Sequence, residues 1–360
     1  MTGFACGSQV PLASCGAPLS SWRAIQNPAR PAHRAAAVSS QRARSEVIPE
    51  LFHTRPRTGR ARRGTRGERR GLTVGALIAR GAARLARARV FFGHGTDNAH
   101  DESAALVLHA LGLPHSGSAA LYRRRVGRAA EQRVRRLLTR RIRERIPAAY
   151  LTGVTWFAGA RVEVDARVLI PRSPIAELIE RRFVPWIEPG RVRRLLDLGT
   201  GSGCIAIACA RALPRARVDA VDISDDALEV ARRNVRRRRL TRRVRLIKSD
   251  HFGALGDATY DIIVANPPYV GARELAGLPP EYRHEPRVAL AAGRSGLDSV
   301  NIILAQAVRH LRPRGLLIVE VGNTERAVRR AWRRLPFVWV EFERGGGGVF
   351  LLTREQLEAR

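Results

Sequence analysis

The hydrophobic positions between residues 72 and 146 recur with the period of an α-helix. Along residues 134–146, apolar side chains spaced three or four residues apart form one stripe, and arginines occupy the opposite side. The members of this stripe are Val134, Leu137, Leu138, Ile142 and Ile146. We therefore expect residues 71–150 to form a small helical domain.

From Trp156 to Ile170 the pattern changes to the period-two alternation of a β-strand. The apolar residues of this segment bracket Asp165 and Ala166, where we expect the chain to turn. The pattern predicts a β-hairpin within residues 151–175 that links two domains.

Beyond residue 171, short apolar runs alternate with helical segments. The runs that we expect to form strands lie at residues 193–198, 217–222, 243–248, 260–266, 315–321, 336–343 and 348–353. Strands that alternate with helices build a parallel sheet with helices on its faces. Residues 176–360 are therefore predicted to form an α/β domain with a seven-stranded sheet, closed by an antiparallel strand after the glycines at 345–348.

Residues 1–70 have a different composition. Ala, Arg, Pro, Ser and Gly predominate, and the apolar residues show no periodicity. Such a segment cannot bury enough apolar surface to offset the entropy of ordering it, so we predict a disordered extension. Its composition argues against a secretory signal, but is compatible with an organellar transit peptide or with a translation start placed too far upstream.

The formal net charge is +32, and most of it lies in three segments. Residues 1–70, 121–145 and 230–248 carry net charges of +10, +9 and +10. Because Lys248 is the only lysine among 64 basic residues, the arginines also reflect a general compositional preference. The charge is compatible with solvated arginine faces, or with an electrostatic footprint for RNA or a ribonucleoprotein.

The cysteines and the hydrophobicity restrict the type of protein. The four cysteines show no C-x-x-C spacing, so we expect no zinc site and a reducing compartment, the cytoplasm. The longest apolar stretch, around residues 203–210, is shorter than the roughly 18 residues of a membrane span. We therefore expect a soluble protein without a membrane partner.

The tetrapeptide Asn266-Pro267-Pro268-Tyr269 follows an apolar run at the carboxyl end of a predicted strand. Its two prolines remove two backbone donors and leave carbonyl acceptors. The side-chain oxygen of Asn266 and the carbonyl of Pro267 could accept both protons of an –NH2 group, while the Tyr269 ring covers its planar face. These four residues are therefore the candidate catalytic residues, in a socket for an amide or an aromatic amine.

A glycine-rich turn, residues 197–203, lies between the first strand of the α/β domain and the following helix. Gly199, Gly201 and Gly203 allow positive φ and the close approach of a ligand to the backbone. Cys204 stands where the dinucleotide fingerprint G-x-G-x-x-G has its third glycine, which makes a pyrophosphate ligand less favoured.

Carboxylates also follow the next two strands. Asp222 is placed to accept both hydroxyls of a ribose, and Asp250, with His251 and Phe252, could line an adenine pocket. Each acid alone is equally compatible with a helix cap or a loop. Together with Asp197, however, they form a nucleoside-binding pattern typical of S-adenosylmethionine enzymes.

These features together predict methyl transfer to nitrogen. An amide nitrogen is a poor nucleophile because its lone pair is conjugated, as the rotation barrier of about 18–20 kcal/mol shows. Acceptors on both N–H groups push electron density towards nitrogen, and alignment with the methyl donor can contribute about 7–11 kcal/mol. Positioning should outweigh acid–base chemistry, so we expect no metal and no essential general base.

With this glycine turn, Asp222 and the tetrapeptide, the chain resembles the family of protein-glutamine methyltransferases that modify release factors or a ribosomal protein. Five further segments resemble the branch that acts on large-subunit ribosomal protein three; they are residues 93–98, 150–153, 170–178, 281–286 and 345–357. The release-factor branch usually has Pro, an acid and Thr where Ser173, Pro174 and Ile175 stand here.

The resemblance covers about residues 72–357. It implies a Rossmann-like methyltransferase fold, a substrate-recognising helical domain, S-adenosylmethionine as cofactor, and a large-subunit ribosomal protein as substrate, either free or in an assembly intermediate with ribosomal RNA. The residues to which it assigns a place are Gly199, Gly201 and Gly203 at the methionine part of the cofactor, with Asp197 and Thr200 in the same loop, Asp222 at the ribose, Asp250 and His251 at adenine, and Asn266, Pro267 and Tyr269 at the glutamine amide. Arg172, Glu285 and Pro286 belong to motifs near the site, where a structural ion pair or turn explains them equally well.

Other functions share some of these motifs. Glutamine methylation of release factors remains an alternative, and adenine-specific DNA methyltransferases carry the same tetrapeptide. DNA enzymes generally need a separate target-recognition domain, for which no segment after the tetrapeptide is long enough, so we expect no DNA partner. A non-catalytic RNA-binding scaffold would be expected to have a degraded cofactor loop. We also hypothesise that residues 133–145 help to dock a ribosomal assembly intermediate, through Arg136, Arg140 and Arg143.

Overall fold

The computed structural model describes residues 71–115 and 118–359, so the prediction for residues 1–70 lies outside the described residues. The helices are α1 (Val74–Arg87), α2 (Ala99–Leu111), α3 (Ala119–Arg123), α4 (Arg128–Glu144), α5 (Ala148–Thr152), α6 (Ile175–Glu180), α7 (Cys204–Ala212), α8 (Asp225–Arg237), α9 (Ala272–Gly277), α10 (Asp298–His310), α11 (Glu325–Ala331) and α12 (Arg354–Glu358). The strands are β1 (Val154–Phe157), β2 (Ala160–Glu163), β3 (Arg194–Leu198), β4 (Arg217–Asp222), β5 (Val244–Lys248), β6 (Tyr260–Ala265), β7 (Leu311–Glu320), β8 (Val338–Trp339) and β9 (Val349–Thr353). Within these ranges, each helix is too short or too polar to cross a membrane.

Helices α1 to α5 precede the sheet and share a core of their own. Leu77 and Ile78 of α1 pack there with Leu106 of α2 and with Val134 and Leu138 of α4. The last two belong to the stripe expected from the sequence. The helical spacing of the apolar residues therefore predicted the buried face of α4 correctly.

Strands β1 and β2 form an antiparallel hairpin, but its turn lies elsewhere than predicted. The chain reverses at Ala158 and Gly159, whose φ angles of 44° and 67° suit a two-residue hairpin turn. The chain does turn at Asp165 and Ala166, where the Val168 N–H donates to the Asp165 carbonyl (3.1 Å), but this turn follows the hairpin and does not close it. The apolar alternation continues there because Val168 and the residues around it are buried after the chain has left the hairpin.

The seven remaining strands form one sheet in the order β5-β4-β3-β6-β7-β9-β8. The first five strands in this order are parallel, and β9 is antiparallel to both of its neighbours. The seven-stranded α/β fold is confirmed, including the antiparallel strand after the glycines at 345–348. The strand predicted at 336–343 is shorter, because only Val338 and Trp339 of this edge segment pair with β9.

Both faces of the sheet are covered, as the apolar runs of its strands require. Ile262 and Val264 of β6 pack in a core with α6, α7 and α8, and the alternate residues Ile263 and Ala265 pack in a second core with α10 and α12. The chain fills the sheet to one side of β3 and then crosses to β6 on the other side. In open α/β sheets, ligands bind at the carboxyl ends of the strands where the order reverses in this way.

Candidate active site

The sheet register brings four polar or glycine positions into one row at the carboxyl edge. The last residue of β3 pairs with the last residue of β6, so Gly199 and Asn266, which follow them, lie side by side. The pairing of β3 with β4 and of β6 with β7 adds Asp222 and Glu320 to the same row. Residues from four separate strands thus meet where the strand order reverses.

A cavity of about 280 Å³ opens at this edge. The candidate site residues that line it are Arg172, Gly199, Thr200, Gly201, Asp222, Asp250, His251, Asn266, Pro267, Pro268 and Pro286. Four others, Asp197, Gly203, Tyr269 and Glu285, lie outside its lining. The sequence motifs therefore converge on one cavity, with a supporting layer beside it.

The glycine loop differs in function from one glycine to the next. A Cβ added at Gly201 would meet no described atom within 4 Å, so the backbone of Gly201 is open to a ligand. A Cβ at Gly203 would instead lie 3.2 Å from the Cβ of Ala231 in α8. Gly203 therefore allows α7 and α8 to pack closely, and it does not line the cavity.

Asp222 ties β4 to the glycine loop. Its carboxylate accepts hydrogen bonds from the backbone N–H groups of Gly201 (2.8 Å) and Ser224 (2.9 Å). Burial raises the pKa of Asp222, and these hydrogen bonds oppose the rise. Each carboxylate oxygen keeps a further lone pair, so Asp222 can also accept two hydroxyl groups. Ile223, to which no motif in the sequence pointed, lines the cavity beside Asp222 with 51% of its surface exposed.

Asp197 fixes the shape of the glycine loop from its buried side. It is fully buried and accepts hydrogen bonds from the Thr200 hydroxyl (2.6 Å) and the Ala206 N–H (3.0 Å). Burial raises the pKa of Asp197 to about 7, against the effect of these two donors. Asp197 therefore joins the loop to the first turn of α7.

The residues after β5 divide between the cavity and the core. Asp250 and His251 line the cavity, with His251 Nδ1 2.6 Å from Asp250 Oδ1. Phe252 is buried and stacks on the ring of His310 at a centroid distance of 4.7 Å. The interpretation of Phe252 as a lining residue was therefore wrong.

Asn266 and Pro267 present acceptors to the cavity. Both residues line it, and within the described part of the chain neither the Asn266 side chain nor the Pro267 carbonyl has a hydrogen-bond partner. The backbone carbonyl of Asn266 lies 3.9 Å from the position of a Cβ at Gly199. The acceptors therefore adjoin the glycine loop.

Tyr269 is held beside the cavity by β7. Its hydroxyl donates to Glu320 (3.1 Å), whose other oxygen accepts from the Ser173 hydroxyl. The ring packs on Gly322, where an added Cβ would lie 2.6 Å from a ring carbon. Burial raises the pKa of both Glu320 and Tyr269. No motif in the sequence pointed to Glu320, although it ends an apolar strand in the same way as Asp222.

Arg172 and Glu285 form an ion pair at the wall of the cavity. The guanidinium is bidentate on the carboxylate (2.6 and 2.8 Å), and the N–H of Ile170 donates to the same carboxylate (3.0 Å). His94, from the helical domain, lies 3.5 Å from its second oxygen. Burial alone would raise the pKa of Glu285, but His94 and Arg172 lower it to about 2. These two motif residues thus connect three separate segments.

The low pKa of Glu285 predicts a pH-dependent contribution to stability. A carboxylate with a depressed pKa stabilises the fold above its unfolded pKa of about 4.3, and this stabilisation is lost as the pH falls towards 2. We expect the unfolding free energies of wild type and Glu285→Gln to differ most near pH 6, and the difference to shrink by about 2 kcal/mol by pH 3. Urea unfolding of both proteins between pH 6 and pH 3 measures this difference, and the variant Glu188→Gln, at an exposed position, is the control. A constant difference would contradict the expectation.

A second buried cluster joins the helical domain to the segment after α9. Arg141 of α4 is fully buried and donates to Glu102 of α2 (2.6 Å), to Glu281 (3.1 Å) and to the Phe91 carbonyl (2.7 Å). The N–H of Phe91 returns a hydrogen bond to Glu281 (3.0 Å). Glu281 and Glu285 belong to one short segment. The helical domain therefore contacts this segment, at the wall of the cavity, at two points: Arg141 with Glu281, and His94 with Glu285.

Comparison with known protein families gives two matches along the chain. The model of the PrmC N-terminal domain matches residues 76–153, and that of the methyltransferase small domain matches residues 180–277. The first range covers most of helices α1 to α5, and the second covers the glycine loop and the tetrapeptide. The two models therefore correspond to the helical part and to the cavity-bearing part of the chain.

Several curated proteins similar to the chain are named ribosomal protein uL3 glutamine methyltransferase. The protein of Bordetella pertussis is 48% identical over 286 residues, which are 79% of this chain and 96% of that protein. The protein of Xanthomonas campestris pv. campestris is 50% identical over 287 residues, 80% of this chain and 93% of that protein. Among solved structures, a methyltransferase from Pyrococcus furiosus covers 54% of this chain and 88% of its own, with 20% identity and a TM-score of 0.39.

Proposed function

The chain belongs to the family of ribosomal protein uL3 glutamine methyltransferases, and we propose on this premise that it transfers a methyl group from S-adenosylmethionine to the side-chain amide nitrogen of a glutamine in uL3. The observation that carries the proposal is the position of Asn266. It lies beside the glycine loop and lines the same cavity as Asp222. An amide held by Asn266 would therefore lie next to a nucleoside held by Asp222.

The glycine-loop side of the cavity fits the cofactor. Asp222 offers free lone pairs to ribose hydroxyls, and Gly201 leaves its backbone open to the amino-acid part. Ile223 and His251 supply flat or apolar contacts for a base. S-Adenosylmethionine bound there would supply an electrophilic methyl group on a sulfonium sulfur. The chain's own task is to orient the acceptor nitrogen and to hold it.

The tetrapeptide side of the cavity fits the acceptor. The Asn266 side-chain oxygen and the Pro267 carbonyl would accept the two amide protons, which localises the lone pair on nitrogen and directs it towards the donor. Tyr269, fixed by Glu320 and Gly322, bounds the socket. One proton leaves the nitrogen after the N–C bond has formed, so the residues act mainly by positioning.

The proposal extends to the setting in which the substrate is met. A ribosomal protein would be modified in the cytoplasm, either free or in an assembly intermediate with ribosomal RNA. Along α4, Arg136, Arg140 and Arg143 are exposed and could contact such a particle, whereas Arg141 is buried in the cluster with Glu102. The docking surface proposed for residues 133–145 is therefore restricted to the exposed arginines.

The test is to identify the labelled acceptor. Purified protein is incubated with radiolabelled S-adenosylmethionine and, separately, with uL3, ribosomal particles, a release factor and DNA, and labelled peptides are sequenced by mass spectrometry. We expect a single N-methylated glutamine in uL3. Label on the release factor would contradict the substrate, and label on adenine would contradict the class of reaction.

A further inference from the structure

A second recess lies beside the hairpin, away from the active-site cavity. Phe157 of β1 lines the cavity, whereas its neighbour Trp156 lines a groove of about 480 Å³. Arginines from β2, α7, the end of α8 and the residue after it line the same groove; they are Arg161, Arg211, Arg237 and Arg238. The proposed methyl transfer uses none of these side chains.

Trp156 belongs to a paired strand and has an exposed side chain. Its strand neighbours Thr155 and Phe157 are buried on one face of the hairpin, which directs Trp156 to the other face beside its register partner Arg161. Trp156 is 54% exposed, although tryptophan is usually largely buried or partnered. An exposed indole next to a guanidinium offers a face on which a flat ring can stack.

The groove has an excess of positive charge. Among its lining residues, Glu163 is the one carboxylate, and it lies 3.0 Å from Arg237 and 3.9 Å from Arg161. Within the described residues, neither Arg211 nor Arg238 pairs with a carboxylate, and the Arg238 guanidinium donates to the Arg161 carbonyl. The charge continues along residues 230–248, whose net charge is +10. The groove therefore favours an anionic ligand.

The combination of groups selects the class of ligand. Guanidinium groups bind carboxylates as well as phosphates, so the charge alone would suit either an acidic peptide or a polynucleotide backbone. The exposed indole also favours a flat ring, which a nucleobase supplies. A duplex keeps its bases stacked inside, whereas an unpaired strand can turn them outward. We propose that this groove binds an unpaired segment of RNA, with a base stacked on Trp156 and phosphates on the arginines. The choice of RNA over DNA rests on the proposed function.

The groove and the cofactor loop share one structural residue. Asn234 of α8 is buried and lines the groove, and its side-chain N–H group donates to the carbonyls of Glu163 and Ser202, both at 2.9 Å. Its side-chain oxygen accepts from the N–H of Glu163 (2.8 Å). RNA in the groove would thus be anchored to the framework that carries the glycine loop, while the cavity itself stays open for the protein substrate.

Binding of a labelled oligouridylate to the full chain, followed by fluorescence anisotropy at several salt concentrations, tests the proposal. We expect Trp156→Ala to weaken binding about tenfold or more, and Trp156→Tyr to restore most of the affinity because it keeps a stacking ring. Arg211→Gln should weaken binding and reduce the slope of log affinity against log salt by about 0.7, the value for one phosphate contact on a single strand. An oligothymidylate and an RNA duplex serve as the comparison ligands.

The matched control is Arg326→Gln, which removes the same charge from an exposed position on α11. Equal losses from Arg211→Gln and Arg326→Gln, or an unchanged Trp156→Ala affinity, would overturn the proposal in favour of non-specific charge. If Trp156→Ala lost binding to anionic lipid vesicles but kept its affinity for the oligouridylate, the groove would be a membrane-binding surface and the proposal would be overturned. Methylation of RNA-free uL3 by Trp156→Ala should equal that of wild type. If wild type fails to methylate uL3, the proposed function fails while the RNA affinities remain decisive for the groove.

Discussion

Replacement of Asn266 by alanine is expected to slow methyl transfer about 100- to 1,000-fold while the fold and the cofactor affinity are retained. The reason is that the side-chain oxygen is one of two acceptors proposed to raise electron density on the amide nitrogen. Loss of a single preorganised hydrogen-bonding group at a reacting centre typically has an effect of this size. Single-turnover rates with saturating cofactor, together with calorimetric titration of S-adenosylmethionine, measure the two quantities separately.

Two further variants sharpen this experiment. Asn266→Gln keeps the acceptor but moves it by one methylene, so its rate should also fall, since the reaction depends on position. Asn301→Ala removes an amide from an exposed position on α10 and should react like wild type. A normal rate for a folded Asn266→Ala protein that binds the cofactor would refute the role of Asn266.

The row of residues at the sheet edge could be predicted from the sequence because it follows directly from strand ends. Apolar runs locate the strands, and the first polar or glycine residue after each run must lie at the carboxyl edge of a parallel sheet. Gly199, Asp222 and Asn266 were identified in this way and lie in one row. The same logic applies to Glu320, which ends the run of β7, but the resemblance motifs did not include it.

The supporting contacts could not be predicted in this way. Tyr269 lies beside the cavity because Gly322 and Glu320, about fifty residues later in the chain, receive its ring and hydroxyl. Likewise, Gly203 is a packing residue because Ala231 of α8 lies against it. Such contacts depend on how helices and loops pack on the sheet, and no local pattern in the sequence predicts them.

The junction between the helical domain and the cavity wall is the largest feature that the sequence does not predict. The arginines of α4 all look alike in the sequence, since they share one charge-rich segment. Only Arg141 faces inward, where Glu102 and Glu281 lie 39 and 140 residues away along the chain. An ion cluster between residues so far apart in the sequence follows from the tertiary fold alone. It makes one arginine structurally different from its neighbours.

Arg141→Met is therefore expected to lower the free energy of unfolding by about 3–5 kcal/mol, because it leaves the buried carboxylate of Glu102 without a cation and that of Glu281 with the more distant Arg145 (3.6 Å). Arg140→Met is the matched control, since Arg140 is exposed and its pair with Glu144 should contribute less than about 0.5 kcal/mol. Urea unfolding of both proteins measures the difference. A triple variant that also carries Glu102→Gln and Glu281→Gln should regain part of the loss, because it removes the uncompensated charges. A loss below about 1 kcal/mol for Arg141→Met, or no recovery in the triple variant, would show that the cluster does not hold the helical domain against the wall of the cavity.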